Sequence, residues 1–420
     1  MSGSCLRHLR RLLRTASLLS LVLLTLAGPS GCTPKVAPAA PGVPRVRVRL
    51  LEAQAQVTVS TSNAVAIREA PGVSPRPINV PRKQPVPVLR TASGWRVGNL
   101  NVEALELTFL PVGEGGHLSI NGKPYRGDCR LVPVAAGRFD VVNDLDIDSY
   151  LKGVVAKEML WDWHEEAYKA QAIVARTYAL YELKTAGSGR HWDLHPDERS
   201  QVYGGIAGES GKSRTAVDAT AGVVVAHGPR GRERIFKAYF SACCGGIAQS
   251  AADAFGEMPS EPLSDRTVGN RCNISPRFTW DPVVIRKDEL TRRLRVFGAA
   301  KGRPEKDMSM LQRIDIAFEN RFGRPVRFML VDDQGRRYHI GGTDLRFAIN
   351  NGAPEGSRVY SSFFNPADDD TQIRFVDGHG FGHGVGLCQW CAQAQAAEGG
   401  IRHEDIVRDA YPGSSLQRAY

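Results

Sequence analysis

Residues 148–181 read DSYLKGVVAKEMLWDWHEEAYKAQAIVARTYALY. The pattern predicts two helices with a break between them. Asp146 or Asp148 is placed to cap a short first helix through Lys157, since a short acidic side chain accepts the free N–H groups of a first turn. Trp161 to Trp163 interrupts the pattern. A longer helix then runs from about His164 to Lys184, with Ala167, Ala170, Val174 and Tyr178 along one stripe and Glu165 four residues ahead of Lys169. Gly187 and Gly189 end it.

The same stretch carries the first sign of chemistry. Glu158 sits among apolar residues, with Val154 and Val155 before it and Met159, Leu160 and Trp161 after it. Lys169 and Arg176 are seven residues apart, two helical turns, and so share a face. A carboxyl in an apolar pocket beside a cationic wall suits proton transfer to a polymer linkage. The plainer reading is a solvated helix end, because charged residues are mostly exposed.

Outward from this centre the chain alternates between strand and helix patterns. From Arg45 to about Gly115 come short β runs, VRVRL, QVTVSTS, PVPVLRT, WRVGNL and LELTFL, separated by turn residues. Asn121-Gly122 marks a hairpin, and RLVPVAAGRFDVVN continues the strands. Residues 222–242 read as two strands, GVVVAHG and RIFKAYFSA. A block at about 281–345 holds one amphipathic helix, Lys287 to Phe297, and the strands RIDIAFE, PVRFMLVD and RRYHIGG. It reads as a subdomain inserted into the core. A glycine-rich loop, DGHGFGHGVG, precedes a last helix pattern from Cys388 to Ala397. The expected fold is α+β, with antiparallel β-sheets, a few packed helices and this inserted β-rich subdomain.

Composition sets the context. Among 420 residues, 42% hydrophobic and 23% charged content are those of a globular chain, not a disordered one. Residues 1–31 read as a signal peptide: Arg7, Arg10, Arg11 and Arg14 precede an apolar run, Ala16 to Ala27, too short for a confident membrane span. Small residues before Cys32 resemble a lipoprotein processing site, although Pro29 fits poorly. Cys32 is then the lipidated residue, and residues 32–44, rich in Pro and Ala, a tether. Cleavage by an ordinary signal peptidase is the rival, and Arg10-Arg11 only loosely matches a twin-arginine signal. The expected location is extracytoplasmic, lipid-anchored to a bacterial membrane or secreted to the periplasm or cell wall. The formal charge of +10 falls to +6 once the four leader arginines are discounted. A mildly basic exported chain suits an anionic wall polymer or membrane surface, and export argues against nucleic acid.

Six cysteines remain beyond Cys5 and Cys32: Cys129, Cys243, Cys244, Cys272, Cys388 and Cys391. An oxidising compartment favours disulfides, with fifteen pairings open. The alternative joins Cys243-Cys244 and Cys388-x-x-Cys391 in a thiolate zinc site. Several decoys are set aside. Gly211-Lys212-Ser213 lacks the earlier glycine of a P-loop, whose place is taken by Ile206. Asp144, Asp146 and Asp148 lack the glycine and terminal acid of a calcium loop. His379 and His383 are four apart, but the alternating glycines argue against a helix there. That segment reads either as a loop cradling a ligand or as a structural turn.

Several segments together resemble the SpoIID/LytB family of bacterial cell-wall proteins. They are YRGDCRLVP at 125–133, VVNDLDIDSYLKGVVAKEM at 141–159, EEAYKAQAIVARTYAL at 165–180 and SQVYGG at 200–205, then YFSACCGGIAQSA at 239–251, LRFAINN at 345–351, GHGFGHGVGLCQWCAQAQAAEG at 378–399 and YPG at 411–413. They follow family order from about Tyr125 onward, giving a SpoIID-like core at 116–420 behind a β-rich region at 45–115. The resemblance implies peptidoglycan as substrate and a lytic transglycosylase that cuts MurNAc–GlcNAc bonds in glycan strands stripped of peptide stems. Glu158 stands where the family's catalytic acid stands. Lys169, Arg176 and Tyr239 fall on positions used around the active site, and Gln201 and His383 join them as substrate-binding candidates. A hydrolase usually needs two carboxylates, whereas the transglycosylase needs one, because the sugar's own C6 hydroxyl attacks. Glu158 then acts as acid first and base second. Some members bind zinc through a His-Cys pair before QVY; Arg199 and Ser200 stand there instead, so no zinc is expected at that place, and no metal or cofactor is expected for the activity. The rivals are a non-catalytic wall-binding enhancer of an N-acetylmuramoyl-L-alanine amidase and a structural lipoprotein.

Overall fold

A computed structural model describes residues 42–187 and 189–420. The expected signal peptide, Cys5, Cys32 and the tether up to residue 41 lie outside the described residues. The chain is α+β. Among the described residues no helix is long and apolar enough to cross a membrane.

Two six-stranded antiparallel sheets form the first part. One joins Arg45–Gln54, Arg138–Asp146, Asp128–Ala135, Leu107–Pro111, Val65–Arg68 and Arg76–Ile78 in that spatial order. The other joins Lys123–Tyr125, Leu118–Ile120, Gln56–Thr61, Val86–Arg90, Trp95–Val97 and Leu100–Val102. Val57, Val59, Phe109, Phe139 and Val141 share their core, where Trp95 meets Phe139 edge-on at 5.1 Å. Asn121 and Gly122, with φ of 48° and 80°, make the expected hairpin turn. Cys129 pairs with Phe109 across the expected boundary at residue 115, so one hydrogen-bonded sheet runs through it.

Strand Arg45–Gln54 couples this part to the helices. Its alternation sends Val46 and Val48, both fully buried, into the helical core. Arg45 on the other phase pairs with Asp144 at 2.8 Å. Among the described residues there are eight α-helices: α1 Ile147–Glu158, α2 Glu165–Thr185, α3 Gly211–Ala219, α4 Ala251–Phe255, α5 Lys287–Lys301, α6 Gly342–Asn350, α7 Gln389–Gly399 and α8 His403–Ala410. Asp146 caps α1, accepting from Ser149 N–H at 2.8 Å. α2 is buried on every side from Ala167 to Leu180 apart from Lys169, wider than the single stripe expected. Its alanines let α1, α3, α7, α8 and strand Val223–His227 all pack against it.

A second core spans Trp280 to Phe375 and contains Leu290, Leu294, Phe328, Leu345 and Phe364. It holds α5, α6 and the three-stranded sheet Leu311–Glu319, Pro325–Asp332, Arg337–Gly341. The inserted block is therefore longer than the expected 281–345, because Phe363–Asp368 and Gln372–His379 complete its packing. The expected strand RIFKAYFSA is broken. Arg234–Ile235 pairs with Val223–His227, while Phe240–Ser241 pairs in parallel with Leu387–Cys388. The chain changes sheets at 236–239, and this crossing carries Tyr239.

Candidate functional site

Glu158 is the last residue of α1, and Met159 beyond it is extended. The carboxylate thus sits at the negative end of a helix dipole. It is half-buried, and its Oε1 accepts the Val202 N–H at 3.1 Å. Burial pushes the carboxyl above its ordinary value of 4.5, against the opposing effect of the Val202 N–H and the Gln389 side chain. The buried Gln389 amide stabilises the charged form, yet its Nε2 has no partner at normal hydrogen-bond length among the described residues. The apolar surroundings differ from those expected. Leu160 is 50% and Trp161 85% exposed. Val154, Val155 and Met159 are buried, while the polar contacts of Glu158 come from distant residues, Val202 and Gln389.

Glu158 borders a cleft of about 590 Å³ together with Tyr239, His383, Arg346, Lys237 and Glu198. Phe255, Phe347 and Phe381 line it too, and each is more than a third exposed. Exposed aromatic faces around a polar cleft suit sugar rings, whose C–H faces pack on π surfaces. Tyr239 stacks on Phe255 at 4.5 Å and donates its hydroxyl to Glu257. Lys237 lies 5.2 Å from the Tyr239 ring and is paired with Glu182 at 3.0 Å.

Phe381, Gly382 and His383 of the glycine-rich loop line the same cleft. His383 Nδ1 accepts the Val385 N–H at 3.0 Å. Burial, with Arg346 and Arg324 nearby, pushes its pKa down to about 3, so it is neutral at physiological pH. Arg324, reaching over from the inserted block, donates to the carbonyls of Cys244 at 3.0 Å, Ile247 at 2.6 Å and His383 at 3.3 Å. Gly384, at φ +72°, lies directly over this guanidinium: a Cβ there would stand 2.3 Å from Nη1. The loop is a structural turn, and its Phe381, Gly382 and His383 also line the cleft.

Three expectations are corrected. Arg176 is fully buried and does not line this cleft. Its guanidinium meets Asp148 at 2.8 Å, the Tyr420 hydroxyl at 3.0 Å and the carbonyls of Val217 and Val223 at 3.2 Å. Lys169 does not border the cleft either. It pairs with Glu166 at 2.6 Å, and Glu166 also accepts from His403. Gln201 borders the cleft, but its amide is turned inward, accepting from the Tyr150 hydroxyl at 3.2 Å and donating to the Ala175 carbonyl at 3.4 Å. Arg176 and Gln201 hold the core together; Gln201 thereby fixes the neighbouring Val202 N–H.

Residues 135–227 match the family model described as SpoIID: Stage II sporulation protein. Over that span the chain is similar to the SpoIID family. The matched span includes Glu158, Lys169, Arg176 and Gln201 and stops before Tyr239, Arg346 and His383. An uncharacterised protein of Brachyspira hyodysenteriae is 29% identical over 278 residues, covering 66% of this chain and 68% of the relative. The amidase enhancer of Bacillus subtilis is 23% identical over 300 residues, covering 63% of this chain and 40% of its own length. An uncharacterised protein of Chlamydia muridarum is 29% identical over 190 residues, covering 43% of this chain and 65% of its own. The chain thus spans two fifths of the Bacillus relative.

The cleft also contains groups the sequence did not single out. Arg346 of α6 borders it with Nε unpartnered and Nη1 only 3.5 Å from the Tyr360 carbonyl. Its segment, LRFAINN, carried a signal; its direction did not. Gln389 was hidden between Cys388 and Cys391. Glu198 is an exposed second carboxylate lining the same cleft.

The disulfide expectation is also corrected. Cys129, Cys243, Cys244, Cys272, Cys388 and Cys391 are all free and buried. The Cys244 and Cys272 sulfurs are 3.6 Å apart, too far for an S–S bond of about 2.05 Å.

Proposed function

We propose that this chain is a peptidoglycan lytic transglycosylase that cleaves MurNAc–GlcNAc bonds of stem-free glycan strands. The observation that carries the proposal is Glu158: one enclosed carboxyl, its pKa raised, facing a cleft walled by exposed aromatic rings. The SpoIID match and the similarity to an amidase enhancer support the coarser reading, a role at the cell wall.

In this reading protonated Glu158 gives its proton to the glycosidic oxygen as the bond to the muramic C1 breaks. The C6 hydroxyl of the same sugar then bonds to C1, and the Glu158 carboxylate takes the hydroxyl proton. The product is a 1,6-anhydro sugar, with no water consumed. A raised pKa keeps the acid protonated closer to neutrality. Neutral His383 and the Tyr239 ring line the sugar's path. A muramic residue without its stem exposes a lactyl carboxylate, and Arg346 offers a partly unpaired guanidinium to it. The substrate-binding place that the resemblance implied for Lys169 and Arg176 passes in this reading to Arg346. An extracytoplasmic, lipid-anchored location belongs to the proposal.

Digestion of stem-free glycan by the purified chain tests it. Anhydro-muramic ends that disappear in Glu158→Gln support the transglycosylase. Reducing ends, lost in Glu198→Gln, would show hydrolysis with Glu198 as the second carboxylate. The second reading is enhancement of a cell-wall amidase, favoured by the Bacillus relative. Amidase stimulation without any glycan product from the wild type would establish that reading instead.

A further inference from the structure

Cys244, Cys272, Cys388 and Cys391 come from three distant segments, yet their sulfurs all lie within 4.8 Å of one another. All four are 5% exposed or less. Cys244 opens a Gly245-Gly246 turn, Cys272 ends the turn Gly269–Cys272, and Cys388 caps α7 with Cys391 in its first turn.

The spacing selects among thiol chemistries. A zinc ion with Zn–S bonds of about 2.3 Å sets tetrahedral sulfur–sulfur edges of about 3.8 Å. The Cys244 sulfur is 3.6 Å from that of Cys272 and 3.9 Å from that of Cys391. A disulfide needs roughly half that separation, and a multinuclear iron–sulfur cluster holds its four thiolates farther apart.

The surroundings suit anionic sulfur. The Cys244 and Cys391 N–H groups both point to the Cys388 sulfur at 3.4 Å. Two cysteines sit at the positive end of α7. The buried Arg324 guanidinium holds the Cys244 carbonyl, placing a cation beside the cluster. Backbone donors and a neighbouring cation are the outer partners a thiolate metal centre needs.

We infer that Cys244, Cys272, Cys388 and Cys391 form a structural zinc site. Binding releases the four thiol protons and leaves a tetrathiolate complex of charge −2, with every coordination position filled by protein. No open position remains for catalysis, so the ion serves architecture. It ties the turn after Phe240–Ser241 to the start of α7. Those are the segments that present Tyr239 and Gln389 to the cleft. Cys243 also lies against Cys272 and Cys388, but it is outside the group of four whose sulfurs all lie within 4.8 Å of one another and is left out of the ligand set; its backbone pairs with Phe381 of the glycine-rich loop.

The test uses the full chain purified without chelator or reductant. Native mass spectrometry and elemental analysis are expected to give one zinc per chain. Cobalt(II) replacement is expected to give the intense visible absorption of a tetrahedral thiolate site. Cys391→Ala takes the zinc content from one to none, whereas Cys243→Ser keeps one. Should the alanine variant fail to fold, the wild type alone decides. A metal-free chain with a disulfide among these four cysteines overturns the inference, as does bound iron in place of zinc. Zinc lost in Cys243→Ser but kept in Cys391→Ala overturns the ligand set.

Discussion

The backbone N–H of Val202 donates to Glu158 Oε1 at 3.1 Å, linking the end of α1 to a loop 44 residues away. The bond favours ionisation while burial opposes it, and burial prevails. Glu158→Gln keeps the shape and removes the proton. It is expected to cut the rate of anhydro-muramic end formation by about 10²–10⁴-fold, the usual contribution of a general acid. Product mass spectrometry checks this, and an unimpaired variant would sink the assignment.

The same shift predicts a pH-dependent stability. Below 4.5 Glu158 is protonated in folded and unfolded chains alike and carries no penalty. As pH rises through the raised folded value, ionisation works against the fold. Glu158→Gln should therefore raise the melting temperature at about pH 7, with the gain shrinking towards zero near about pH 4. A gain that grows on acidification would contradict the direction of the shift.

Arg176 is a matter of stability. Arg176→Met strands half-buried Asp148 beside the half-buried Tyr420 hydroxyl; with Asp148 still partly in water the loss should be about 3 kcal/mol, the lower end for breaking a buried ion pair. Urea unfolding measures that loss. The KM of the folded fraction for glycan should stay where it is in the wild type; a raised KM would return Arg176 to the substrate.

Gly384→Ala asks an L side chain to sit at φ +72° and 2.3 Å from Arg324 Nη1. Left-handed backbone and overpacking together cost about 2–4 kcal/mol. Thermal unfolding that moves by less than about 1 kcal/mol would show that Arg324 yields easily.

Arg346→Met should raise KM for stem-free glycan about tenfold or more, since a hydrogen bond to a charged group contributes about 1.5–3 kcal/mol. Amidation of the lactyl carboxylates should cost the wild type the same factor and leave the variant indifferent. If amidated glycan is cut equally well, Arg346 has another purpose.

Much of this molecule was legible in the sequence for reasons of period and spacing. The Asp146 cap, the α1–α2 break and the Asn121-Gly122 turn are local events, fixed by residues a few positions apart. Glu158, Tyr239 and His383 do line one cleft. What failed was direction. Lys169 and Arg176 share a helical face, but that face meets Glu166 in one turn and Asp148 two turns on. Alanines at 172, 175 and 179 gave no amphipathic signal, and they are what allows α2 to be buried all round. Glu158's polar partners, Val202 and Gln389, likewise lie far from it in the sequence. The disulfide expectation rested on compartment alone; sulfur geometry was not available to weigh against it.

The cleft is bounded by two separately packed cores: Glu158 ends a helix of one, and Arg346 stands on a helix of the other. In the proposed reaction, proton transfer and selectivity then fall to different pieces of the chain. An exchange of the block around 281–375 between related proteins would graft a new specificity wall onto an unaltered proton donor. The same division makes the seam between the cores, where Arg324 crosses to the glycine-rich loop, the place where such a graft must match.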